Sequence, residues 1–195
     1  MMQEILDRMV ETLRDPQAGM RGVLRLGLPA GARWTALGLM AVASALLVHL
    51  GLMLSPPTGP TPMDAIFASP LKTALVQIVA LVTVSWLIHV IGGSFGGTGT
   101  PAGAMMVVVW LQVILIALQL VQLVALLVLP PLAVLLSLVS FGLFFWLLTN
   151  FVAALHGFSS PLKVFGGIVL TTIAVVLVMS IILSLVLGPE ALSNV

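Results

Sequence analysis

His49, His89 and His156 are the only imidazoles in the chain, and imidazole is the side chain best suited to carry a proton or bind a metal near neutral pH. Their positions work against a joint site. His49 falls toward one end of an apolar stretch, whereas His89 and His156 fall at the opposite edge of two others, near Asn150 in depth. A cluster of His89, Asn150 and His156 is therefore the one candidate grouping. No carboxylate stands inside an apolar stretch to serve as its base or ligand. The expectation is that these groups satisfy loop carbonyls and perform no chemistry.

Backbone supplies the second candidate. Gly92, Gly93, Gly96, Gly97, Gly99 and Gly103, with Pro101 among them, form the run GGSFGGTGTPAG. Glycine tolerates positive φ and close backbone approach, so the run predicts an irregular turn and not a helix. Part of it has the letters of a dinucleotide fingerprint. That motif needs a strand before it and a βαβ unit around it, and here it stands between apolar stretches. Glycines four apart also suit close helix packing, provided the neighbouring helix ends reach into the run. Either way the run is a place for backbone where side chains do not fit, a packing or contact turn.

Gln112, Gln119 and Gln122 are the third candidate. Seven helical steps return to within roughly 20° and three more move roughly 60°, so the amides share one stripe of a helix. Amides facing lipid are costly, so the stripe predicts a face toward protein or water. Such a stripe joins helices more often than it lines a path.

The elements that position these groups are membrane helices. Of 195 residues, 61% are hydrophobic and 7% charged, a balance far from that of a soluble domain. The fold class is all-α: a polytopic bundle of five transmembrane helices behind an N-terminal amphipathic helix. Spans are expected at about 34–54, 72–91, 104–129, 132–155 and 164–187, each long enough to cross roughly 30 Å of hydrocarbon. Residues 1–32 form a cytoplasmic amphipathic segment, 33–188 the membrane domain and 189–195 a short external tail.

Within the first segment, Ile5, Leu6, Met9, Val10 and Leu13 recur at helical spacing, and Asp15-Pro16 ends that helix. Residues 20–28 suit either the membrane interface, with Arg21 and Arg25 toward headgroups, or a solvated tail. Ala41, Ser44 and Ala45 mark a close-packing face on the first span. Pro130-Pro131 closes the third. Residues 55–70, with five prolines, belong in water, and 63–67 is a short piece suited to touching the surface. Arg8, Arg14, Arg21, Arg25 and Arg33 all precede the first span, which predicts a cytoplasmic N-terminus and an external C-terminus.

Chemistry is scarce elsewhere. With no cysteine there is neither thiolate nor disulfide, and no nucleophile has a neighbouring base. Neither metal-ligand spacing nor paired carboxylates occur. A net charge of +1 gives no basis for binding nucleic acid. The expectation is a non-enzyme without cofactor or metal.

The charged N-terminal segment, five spans, the glycine run from Gly92 to Thr100 before the third span and Pro130 at its end together resemble the Yip domain family of Ypt- and Rab-interacting membrane proteins. The short N-terminal segment looks like the bacterial branch. The resemblance covers about Asp15 to Leu187 and implies a protein acting through contacts in membrane organisation, with no catalytic residues to carry over. Its eukaryotic members show Asp-Leu-Tyr-Gly-Pro and Gly-Tyr motifs. This chain has no tyrosine, so no Rab-binding residues are carried over. The expected role is to organise or support other membrane proteins or membrane components in a bacterial inner membrane, with the lipid bilayer and a membrane protein or a second copy as partners. The alternative is passive translocation of lipid or a small solute along the glutamine face.

Overall fold

The computed structural model describes residues 2–56, 59 and 67–187. They form seven helices: α1 (Met2–Arg14), α2 (Pro16–Leu24), α3 (Ala30–Leu54), α4 (Pro70–Ser94), α5 (Pro101–Val128), α6 (Pro130–His156) and α7 (Pro161–Leu187). Five of these, α3 to α7, are long and apolar enough to cross a membrane. The chain is a multi-pass membrane protein. The tail at 189–195 and most of the piece at 63–67 lie outside the described residues.

Proline sets the helix boundaries from the other side than the sequence suggests. Pro16, Pro70, Pro101, Pro130 and Pro161 each stand at the start of a helix. The first turn has no use for the proline's missing N–H, and the fixed φ is already helical. Asp15-Pro16 and Pro130-Pro131 thus begin α2 and α6 as much as they end α1 and α5. Side-chain oxygens of Asp15, Ser69 and Thr100 accept from backbone N–H groups of the turns that follow, a second start signal beside the proline.

The glycine run corrects one expectation. α4 continues through Gly92, Gly93 and Ser94, and α5 already includes Pro101 and Gly103, so only Phe95 to Thr100 is non-helical. Helix ends do reach into the run, and the close-packing reading of its glycines applies.

At the centre of the bundle stands α5, which packs on α3, α4, α6 and α2. One apolar core joins Leu37, Ala41, Leu81, Val108 and Val109 from α3, α4 and α5. Ala41, Ser44 and Ala45 are all buried, as the small-residue face predicts. A second core joins Met20 and Val23 of α2 to Val107, Ile114, Leu147 and Phe151 of α5 and α6. Nearly all of the buried residues of α5 lie between Gly103 and Ile114. The bundle is therefore tightest at the glycine-run end.

Of residues 20–28, the part in α2 docks on the bundle while Arg25, Leu26 and Gly27 are exposed. Met20 and Val23 are fully buried, and α2 lies against α6 and α5. α1 folds back on α2 so closely that a Cβ at Gly19 would stand 2.7 Å from the Thr12 Cα. Thr12, itself fully buried, accepts a hydrogen bond from the Trp110 indole at 3.1 Å and donates to the Arg8 carbonyl at 2.7 Å. Burying a hydroxyl without partners is costly, and these two bonds satisfy it.

Candidate functional site

The glycine turn is assembled around one ring. α4 ends in a Schellman motif: Gly96 adopts φ 84°, Gly97 N–H donates to the Gly92 carbonyl at 2.9 Å, and Gly96 N–H donates to the Gly93 carbonyl at 3.0 Å. α6 ends by the same device, with Gly157 at φ 73° and Phe158 N–H on the Ala153 carbonyl at 3.0 Å. The last residue of α6 is His156, 3% exposed, and its ring fills the hollow of the turn. A Cβ at Gly92, Gly97 or Gly99 would overlap the imidazole, and one at Gly103 would overlap Leu155. Gly92, Gly97 and Gly99 are required by packing against the held ring, whereas the end of the flexible Leu155 side chain can yield at Gly103. Gly93 and Gly96 face open space.

Hydrogen bonds fix how the ring is held. Gly99 N–H donates to His156 Nδ1 at 3.1 Å, which leaves the ring proton on Nε2, and that nitrogen lies 3.0 Å from the Ile88 carbonyl, as donor. Thr98 N–H donates to the His156 carbonyl at 3.3 Å. His89 Nδ1 donates to the Gly99 carbonyl at 3.0 Å, so both imidazoles hold the same residue of the turn. Phe158 stacks on His156 with centroids 5.4 Å apart. With both nitrogens of His156 occupied by backbone, no lone pair is left for a metal or a substrate proton. Among the described residues, no group of three His, Cys, Asp or Glu side chains could hold a metal.

Asn150 leaves the cluster. Six residues before His156 is about 120° round the helix, and there it accepts a hydrogen bond from Gln17 Nε2 at 3.1 Å. Its own amide donates to the Trp146 carbonyl at 2.8 Å. Asn150 thus ties α2 to α6 and has no part in the turn. His49, toward the opposite end, stands between the carbonyls of Ala45 and Phe67, at 3.0 Å and 3.2 Å from its two ring nitrogens.

The glutamine stripe divides. Gln119 Oε1 accepts from Ser44 of α3 at 3.3 Å, while Gln122 Nε2 donates to Ser140 Oγ at 2.7 Å and to the Leu136 carbonyl at 3.1 Å, both on α6. A separation of 60° is enough to send two amides to different neighbours. Gln112 is half-buried on the same helix.

Sequence reasoning missed Thr12, Gln17 and Trp110, which fasten the N-terminal hairpin to the bundle. One signal for Thr12 was available: it sits at the border between the apolar and charged faces of α1, opposite a glycine-containing α2.

A protein-family model described as the Yip1 domain matches residues 10–183, from within α1 to within α7. The chain belongs to the Yip1 domain family. No curated protein and no solved structure matches it. The match takes in all of α2 and the last five residues of α1.

Proposed function

We propose that this Yip1 family protein organises or supports other membrane proteins or membrane components through contacts, without catalysis. The observation that carries this reading is the end of the bundle where α1, α2 and the glycine turn are locked together. There the histidines and Asn150 are taken up in holding backbone and helices in place. A platform whose polar groups mostly hold its own backbone and helices suits docking. Its exposed features are Gly93 and Gly96 on the turn and, on α1, the apolar residues Ile5, Leu6, Val10 and Leu13, exposed by 38–48%. The partner is a membrane protein or a second copy of the chain, the membrane a bacterial inner membrane, and the platform cytoplasmic because four arginines precede α3 and a fifth, Arg33, stands in its first turn. Translocation along the glutamine face has less support, since Ser44 and Ser140 engage two of its amides.

Gentle extraction of the tagged native protein into lipid nanodiscs, followed by mass measurement and identification of copurifying chains, tests this. The expected result is a stoichiometric companion or a defined homo-oligomer whose recovery falls at least fivefold in a Leu6→Ser/Val10→Ser variant of unchanged thermal stability. A lone monomer, or a companion indifferent to the double variant, would overturn the α1 platform as the docking face.

A further inference from the structure

A cavity of about 530 Å³ opens between α4, α6 and α7. α7 packs along α6, and the space left beside α4 is this cavity. Its long walls are apolar, formed by residues such as Val84 and Ile91 of α4, Leu148 of α6 and Ile168 of α7. Polarity is concentrated at one mouth, beside the glycine turn, where Ser159, Ser160 and Lys163 stand. Lys163 is exposed, and among the described residues it makes no ion pair. Deeper in, Thr172 turns its hydroxyl back onto the Ile168 carbonyl at 2.8 Å, so the wall there stays apolar in character.

The dimensions say what fits. From Lys163 to Val176 the α7 wall runs roughly 20 Å at 1.5 Å per residue. One leaflet, headgroups included, is also roughly 20 Å deep. On the other two walls the cavity ends at Val84 and Phe144, near the middle of α4 and α6. A transmembrane helix from a partner or a second copy would need a groove running the full depth. This one is a single leaflet deep, apolar along its length and cationic at its mouth. The first turn of α7 adds the positive end of a helix dipole there.

We infer that the cavity binds one glycerophospholipid with an anionic headgroup, taken from the leaflet on the glycine-turn side. An acyl chain lies between α4 and α7, and the phosphate meets Lys163, Ser159 and Ser160. This site is separate from the glutamine face and from α1, it shares Gly92 and Phe95 with the glycine turn, and it stands whether or not the docking proposal does.

Native mass spectrometry of the full chain, titrated in detergent with dioleoyl phosphatidylglycerol or dioleoyl phosphatidylcholine, tests it. One phosphatidylglycerol per chain is expected to remain bound, and more tightly than phosphatidylcholine. Lys163→Gln is expected to weaken phosphatidylglycerol about fivefold and phosphatidylcholine, whose choline offsets the phosphate charge, clearly less. Gly167→Trp, at a cavity position where a Cβ meets nothing within 4 Å, is expected to lower both lipids. Gly166→Trp, one residue round the helix and outside the cavity wall, is the matched control expected to change neither. Equal phosphatidylglycerol retention by the wild type and Lys163→Gln would overturn the inference. So would displacement of the lipid by inorganic phosphate, which would leave a simple anion site, or a dimer that Gly167→Trp dissociates. If Gly167→Trp does not fold, the Lys163→Gln titration decides alone.

Discussion

At the residue scale, the six glycines of the turn are not equivalent, and the difference is one of packing. Gly97→Ala places a methyl group against the His156 ring, which is held on both nitrogens and cannot retreat without losing Gly99 or Ile88. Overpacking of this kind costs about 1–3 kcal/mol. Gly93→Ala adds its methyl group in open space inside α4, where replacing a helical glycine gains roughly 0.5–1 kcal/mol. Thermal unfolding in detergent is expected to move down for the first variant and up for the second. Equal shifts would mean that His156 does not fill the turn. The glycine run was legible in the sequence as a place for close packing, but not which glycines pack or against what. Periodicity reports neighbours within a helix, and His156 lies 57 residues from the Gly99 amide it binds. Asn150 shows the same limit: shared depth in the membrane says nothing about which side of a helix a residue faces.

At the element scale, all five membrane helices were legible, because apolar length alone identifies them, and their ends shifted by a few residues where prolines open the next helix. The hairpin of α1 and α2 was legible as two helical pieces and not as a docked unit. Amphipathic spacing shows that a face will be buried, and lipid, water-side protein and the chain's own bundle all present apolar surface. What decides among them is Gly19, whose missing side chain lets α1 close on α2 and carry Thr12 to Trp110. Gly19→Leu is expected to separate the pair and loosen the backbone around Arg8, Arg14 and Arg21, whose side chains already reach solvent. Tryptic release of the N-terminal segment should accelerate roughly tenfold or more. Unchanged cleavage would show that the hairpin is held without that crossing. Contacts of α1 with a partner would be lost in the same variant.

For the whole molecule, the five spans among the described residues are expected to put residues 1 and 195 on opposite sides of the membrane. A reporter fused after Val195 is expected to be active outside and silent in the cytoplasm, with the reverse for one fused before Met1. The opposite pattern would invert the platform and the lipid-bearing leaflet together. The hairpin also has a consequence for how the protein is made. Gln17 bonds Asn150, 133 residues later, and Thr12 bonds Trp110, 98 residues later. At roughly 5–20 residues per second, the ribosome needs about 7–27 seconds between those two ends of the first bond. Until Trp110 has been made, α1 and α2 have little but each other to pack on, and the contact with α6 waits for Asn150. The α1–α2 hairpin is thus among the last elements to find its place, and until α6 is in the bilayer it presents part of its apolar surface to whatever chaperone or membrane surface is nearest.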